Sequence, residues 1–259
     1  MMPRPLAALC LALALGLGCD GLHTLETARD AQAKPPAANV HMVAIDRGVR
    51  NVDVKKFLLE ATQADDEEHQ VFVFSGTARD LAPELIGVIE AGAREEVAGN
   101  IRGAGRVALV QQAKAAARDA REARIGTILE DLATVPVPQA SLLVENLRAL
   151  ALLAKDQGPA TRVTVLTDLL ETQVGKLSLE RSDPRDSRTR AAFQAYVKAG
   201  GGPVGLERIR ICVPLTISPG PGLAPMGTAK IKALEDLWTQ IALCGTQVEF
   251  KSLQTLRTR

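Results

Sequence analysis

The sequence predicts an α/β domain built on a doubly wound, mostly parallel sheet flanked by helices. Three observations carry that prediction. Short apolar, β-branched runs alternate with longer stretches of helical spacing, and no hairpin signal joins neighbouring runs. About 220 of the 259 residues lie beyond an N-terminal tail, the size of one large α/β domain. Val40 to Ile45 reads as the first strand and ends at Asp46, with a turn at Gly48 to Asn51. Val52, Phe57, Leu58 and Leu59 then bring in helical spacing. The acidic cluster Asp65-Asp66-Glu67-Glu68 interrupts the pattern and reads as a solvated turn, because it lacks the alternating oxygen-ligand spacing of a calcium loop. Val71 to Phe74 is the second strand.

A helical insertion is expected over about residues 78–135. Ala78 to Gly105 reads as one or two short helical pieces. Arg106 to Leu132 reads as a long helix whose Arg118, Arg121 and Arg124 interleave with Asp119 and Glu122 on a solvated face. Pro136 and Pro138 end it. Ser141 opens the next helix as its N-cap, and Gln157-Gly158-Pro159 stops that helix after Lys155. Arg162 to Leu166 is a β-branched strand ending at Thr167-Asp168. Beyond Asp183-Pro184-Arg185-Asp186 come a helix from Arg188 to Ala199, the Gly200-Gly201-Gly202 joint and a strand from Arg208 to Leu215. A loop from Pro219 to Pro225, a helix from Ala229 to Leu243 capped by Gly245, and a strand from Gln247 to Phe250 complete the series. In such sheets ligands bind at the carboxyl ends of the strands. Asp46, Asp168 and the loop after Leu215 converge there.

Ahead of this domain, Arg4 precedes an apolar run from Leu6 to Leu17, and Gly18-Cys19-Asp20 follows. About 12 apolar residues are too few to span a bilayer, so residues 1–18 read as a removable export signal. Leu15-Gly16-Leu17-Gly18-Cys19 resembles the lipobox of bacterial lipoproteins, which implies lipidation of Cys19 and a membrane anchor. The small residues Gly16 and Gly18 also suit ordinary cleavage, which would release a periplasmic or secreted protein. Residues 19–39, with Pro35-Pro36 and no apolar periodicity, read as a flexible tether to a single domain over residues 40–259.

Composition removes several function classes. Balanced charge, 31 basic against 30 acidic residues, leaves no electrostatic footprint for nucleic acid, and 3% aromatics leave little for base stacking. Cys212 and Cys244 are the two cysteines of the body. A disulfide between them and an inert, packed Cys212 are both open readings, while the absence of any Cys-x-x-Cys spacing argues against cysteine metal sites. The histidines His23, His41 and His69 form no metal-ligand pair or triad in sequence. Gly-x-Ser-x-Gly is absent, Gly175-Lys176 lacks the rest of a phosphate loop, and Gly220-Pro221-Gly222 puts proline where a dinucleotide loop needs free backbone donors. The chain is therefore expected not to be an enzyme.

Val43-Ala44-Ile45-Asp46-Arg47-Gly48-Val49-Arg50 resembles the first motif of von Willebrand factor A domains, Asp-x-Ser-x-Ser after an apolar strand. Val163 to Glu171, with Thr167-Asp168-Leu169, resembles that family's later strand ending in Ser-Asp-Gly. Ser141 to Leu147 is similar to its Thr-Asp-x-x-x-Ala-Leu helix start, and Ala233 to Trp238 followed by Gly245 fits its last helix. The resemblance implies a von Willebrand factor A or Rossmann-like fold. It also implies a metal-ion-dependent adhesion site for Mg²⁺ or Mn²⁺ formed by Asp46, Ser141 and Asp168. Gly48 and Arg50 stand where two serine hydroxyls belong, so that site is degenerate. The expectation is a site without a metal cofactor, its aspartates neutralised by Arg50 or Arg47. The function expected is an envelope-tethered domain that binds another protein through the carboxyl-edge loops. The alternatives are a doubly wound hydrolase using Asp46 and Asp168, or a structural lipoprotein binding through the helix Arg106 to Leu132.

Overall fold

A computed structural model describes residues 39–49, 52–64, 67–74, 83–91, 104–137, 141–173, 177–217 and 223–254. The strands are β1 (Val40–Asp46), β2 (Glu68–Phe74), β3 (Glu84–Ile89), β4 (Arg162–Leu166), β5 (Thr172–Gln173), β6 (Leu177–Ser178), β7 (Arg208–Pro214) and β8 (Gln247–Leu253). The helices are α1 (Val54–Ala61), α2 (Ala104–Thr134), α3 (Leu143–Gln157), α4 (Ser187–Ala199) and α5 (Thr228–Gln240). Six strands form one sheet in the order β3-β2-β1-β4-β7-β8, and β5 pairs with β6 separately. Every neighbouring pair in the large sheet is parallel except β2 and β3. The fold is thus α/β, a mostly parallel mixed sheet flanked by five helices.

All seven residues of β1 are buried. Both faces of this central strand are therefore covered, and an unbroken apolar run is what such a position selects. On one face Val43, Ile45, Val71 and Val73 pack with Phe57 and Leu58 of α1 and with Ile125, Ile128 and Leu132 of α2. Side chains alternate along a strand, so Met42 and Ala44 point to the other face, where they are equally buried. Leu143, Leu147 and Leu150 of α3, Phe193 of α4 and Trp238 of α5 are buried outside the first cluster. The Phe193 and Trp238 rings meet at 5.2 Å.

Several sequence expectations change in the structure. The span read as short helical pieces holds strand β3 instead, antiparallel to β2 with an irregular register at Val71 and Phe72. Short apolar runs do not distinguish strand from helix, and Gly87 weakens the β signal further. A Cβ at Gly87 would lie 2.6 Å from Ile128 Cγ1, so glycine is what lets α2 cross this strand. The β5–β6 hairpin was also not anticipated. Glu67 is not a solvated turn residue: its side chain is 13% exposed and paired with Arg162. Helix α5 ends at Gln240 with Ile241 as its C-cap, so Gly245 serves the later turn into β8 at φ 84°. Cys212 and Cys244 are free thiols, the first buried and the second exposed. Helix α2 matches expectation, with the exposed Arg118–Glu122 pair on its outer side. The signal, Cys19 and the tether fall outside the described residues, among which no helix is long and apolar enough to cross a membrane.

Candidate functional site

From β1 the chain moves outward to β2 and β3, then returns to β4 on the other side of β1 and continues to β7 and β8. The order therefore reverses between β1 and β4, which is where a doubly wound sheet opens a crevice at its carboxyl edge. Asp46 ends β1, and Thr167-Asp168 follow β4, so the sheet itself delivers both aspartates to that point. Ser141 arrives from the segment before α3, its Oγ 3.5 Å from Asp46 Oδ2.

The three sequence-predicted residues thus meet, and Thr167 joins them. Asp46, 3% exposed, accepts from Gly48 N at 2.8 Å on Oδ1 and from Thr167 Oγ1 at 3.0 Å on Oδ2. Asp168, 8% exposed, accepts from Leu170 N at 3.0 Å. Burial raises the Asp46 carboxyl, and the Gly48 N–H and the Thr167 and Ser141 hydroxyls pull it back. Asp168 is pushed up to about 8, first by burial and then by the charge of Asp46, against the Leu170 N–H. Asp46 gathers more donors than Asp168, and these favour its charged form against the burial that disfavours it. Asp168 holds a proton at neutral pH.

Of the two arginines expected to neutralise the pair, Arg47 is described and does not reach it. Arg47 turns away, its Nη2 donating to Val135 O at 3.0 Å, and Arg50 lies outside the described residues. The donor set was tested against Mg²⁺, which demands near-ideal octahedral oxygen geometry. Asp46 Oδ1 already accepts from the Gly48 N–H, and Gly48 supplies no hydroxyl. A Cβ at Gly48 would lie 3.1 Å from Asp46 Oδ1, so a serine there would crowd the carboxylate in its present position. The described residues therefore lack one of the two serine hydroxyls that the resemblance implies for the ion.

The loop after β4 is pinned from both sides. Leu169 is fully buried and has φ 61°, the left-handed region a leucine rarely adopts. Its N–H donates to Thr167 Oγ1 at 3.1 Å, and its carbonyl accepts from Trp238 Nε1 at 2.9 Å. Two residues on, Glu171 Oε2 accepts from Val144 N at 2.9 Å, the second residue of α3. The N-cap of α3 is Leu142, which makes no side-chain cap bond, so Ser141 is not the cap that its sequence position suggests. Glu171 caps the helix from across the fold. Burial pushes Glu171 up to about 8, with the Glu145 charge adding to it and the Val144 N–H opposing. Tyr196 Oη sits against both Glu171 Oε1, at 3.0 Å, and Glu145 Oε2. A phenol has one hydrogen to donate, so Glu171 and Glu145 compete for the Tyr196 hydroxyl.

Sequence reading missed Thr167, Glu171 and Tyr196 as members of this arrangement. Thr167 was the legible one, lying in the quoted motif. Glu171 and Tyr196 carry no local signal, because their partners come from other elements. No family profile, curated protein or solved structure matches this chain.

Proposed function

We propose that this chain is a non-enzymatic, envelope-tethered domain that binds another protein through the loops at the carboxyl edge of its sheet, without a metal. The proposal takes the domain to be von Willebrand factor A-like and the tether to be anchored through a lipidated Cys19. Exposed apolar side chains carry the choice of surface. Among the described residues five large ones are exposed, and three of them, Val137, Leu215 and Leu223, belong to segments around this edge. Val137 lies in the α2–α3 connection, whose Val135 carbonyl receives Arg47 from the end of β1, while Leu215 and Leu223 follow β7. Apolar side chains gathered beside polar groups mark protein-interaction surfaces.

The conformation of Leu169 supports the family reading. It stands where the family motif has glycine and keeps the φ that glycine would take. The two buried aspartates with raised carboxyls are the feature that favours the hydrolase alternative. At 3% and 8% exposure, however, they offer a substrate little access.

Photo-crosslinking residues placed at 137, 215 and 223 test the reading in the native envelope, with Leu152 on α3, also exposed, as the comparison. A discrete protein adduct from the edge positions alone is expected, and equal adducts from position 152 would refute the chosen surface. Melting of the chain stripped of metal beforehand is expected to be superimposable in EDTA and in Mg²⁺. A metal at about 100 times its dissociation constant would instead raise Tm by roughly 5–11 °C.

A further inference from the structure

Far from the carboxylates along β1, the parallel register sets His41 opposite His69 of β2. Five residues of strand separate His41 from Asp46, about 16 Å. Both imidazoles are buried, with Nδ1 to Nδ1 at 3.2 Å. His69 Nε2 lies 2.9 Å from Ala64 O, and His41 Nε2 lies 2.8 Å from Thr164 Oγ1. A carbonyl only accepts, so His69 carries its hydrogen on Nε2 and offers a lone pair at Nδ1. His41 then donates from Nδ1 and accepts from Thr164. Glu67 completes the group, its Oε2 3.9 Å from His41 Nδ1. One ligand atom from each of the three residues lies within 4.8 Å of the others.

We propose that His41, His69 and Glu67 bind one transition-metal ion of the zinc class through both Nδ1 atoms and the carboxylate, with water completing the shell. Nitrogens about 2.0–2.1 Å from a tetrahedral zinc are roughly 3.3 Å apart, close to the observed separation. The hydrogen between the rings yields its place to the ion by moving to His41 Nε2, which then donates to Thr164 Oγ1. No proton leaves the site in that exchange. His69 keeps its bond to Ala64 O. Each ligand ring therefore has its second nitrogen hydrogen-bonded, the outer-shell support that metal-binding histidines require. Two imidazoles and one carboxylate select zinc, cobalt, nickel or copper over magnesium and calcium. Arg162 opposes the ion, since its guanidinium also holds Glu67 Oε2, but it does so from a side chain 46% exposed.

The test uses the full chain, stripped with a chelator and titrated with Co²⁺, whose visible bands report a four-coordinate site, followed by displacement with Zn²⁺. One equivalent is expected to bind, and Cys244→Ser is expected to leave it unchanged. His41→Ala and His69→Ala are expected to abolish the bands, with circular dichroism checking that each variant folds. Two variants at more exposed positions make the result independent of that check. Glu67→Gln should weaken binding at least tenfold, in the range that loss of an anchoring group produces. Arg162→Gln should tighten it roughly fivefold to tenfold, by removing a unit charge beside a divalent ion. Absence of bands in the folded wild-type chain would overturn the proposal. So would binding indifferent to both Glu67→Gln and Arg162→Gln, or binding lost in Asp46→Asn and kept in the histidine variants.

Discussion

Substituting Leu169 separates the backbone of the β4 loop from the side chain that fills it. The residue is fully buried at φ 61°. Truncating such a leucine to alanine loses about 2–5 kcal/mol of packing. Alanine also keeps the left-handed penalty of about 1–2 kcal/mol, which glycine does not pay. Against that gain, glycine loses about 0.5–1 kcal/mol more chain entropy on folding. The difference leaves Leu169→Gly about 0.5–1 kcal/mol more stable than Leu169→Ala, although both are less stable than the wild type. At an ordinary φ the order is the reverse. Urea unfolding reads this directly through Trp238, the single tryptophan, whose Nε1 donates to the Leu169 carbonyl. In melting, the glycine variant should run about 1–4 °C above the alanine variant for a domain of this size. An alanine variant equal to or more stable than the glycine variant would refute the left-handed turn. The comparison with the family's Ser-Asp-Gly motif would fall with it.

Asp168 and Glu171 each hold a proton up to about 8 in the folded chain, whereas both ionise near 4 when unfolded. The folded state thus binds more protons between those values, so stability should fall as pH rises from about 4 to 8 and level off above, by up to about 1.4 kcal/mol per pH unit for each group. Glu171→Gln removes its share, and a urea-midpoint slope between about pH 5 and 8 identical to wild type would contradict the assignment. Gly200→Ala sets a Cβ 2.1 Å from Arg148 Nη1 and should displace the guanidinium from the Val197 and Gly202 carbonyls. A loss of about 1–3 kcal/mol is expected, and unchanged thermal unfolding would refute the contact. Of the two body thiols, native alkylation with mass analysis should label exposed Cys244 and spare Cys212, which is buried and pushed up to about 11. Equal labelling rates would refute that difference.

The central strands were legible because burial on both faces leaves an apolar run that few other elements need, and β1 and β4 appear where that run predicts them. The edge strand β3 was not, since Gly87 answers to a crossing helix rather than to β propensity. The aspartates could be read because strand ends fix where they emerge. Their electrostatics could not, because burial raises both carboxyls while donors from Ser141 and Thr167, distant in sequence, lower Asp46. The same limit hid His41 and His69, 28 residues apart and joined only by strand register. A serine before a helix is a reasonable cap, yet the job went to Glu171, 27 residues from the amide it accepts.

The bracing of the β4 loop between Trp238 and the start of α3 bears on how the edge would recognise anything. Its backbone, buried from Thr167 to Glu171, is held in one shape beneath the edge before an encounter, so little ordering entropy is left to lose in it when a surface docks on the exposed residues around it. Recognition would be lock-and-key in character, and substitutions at the edge would change residence time more than the rate of encounter.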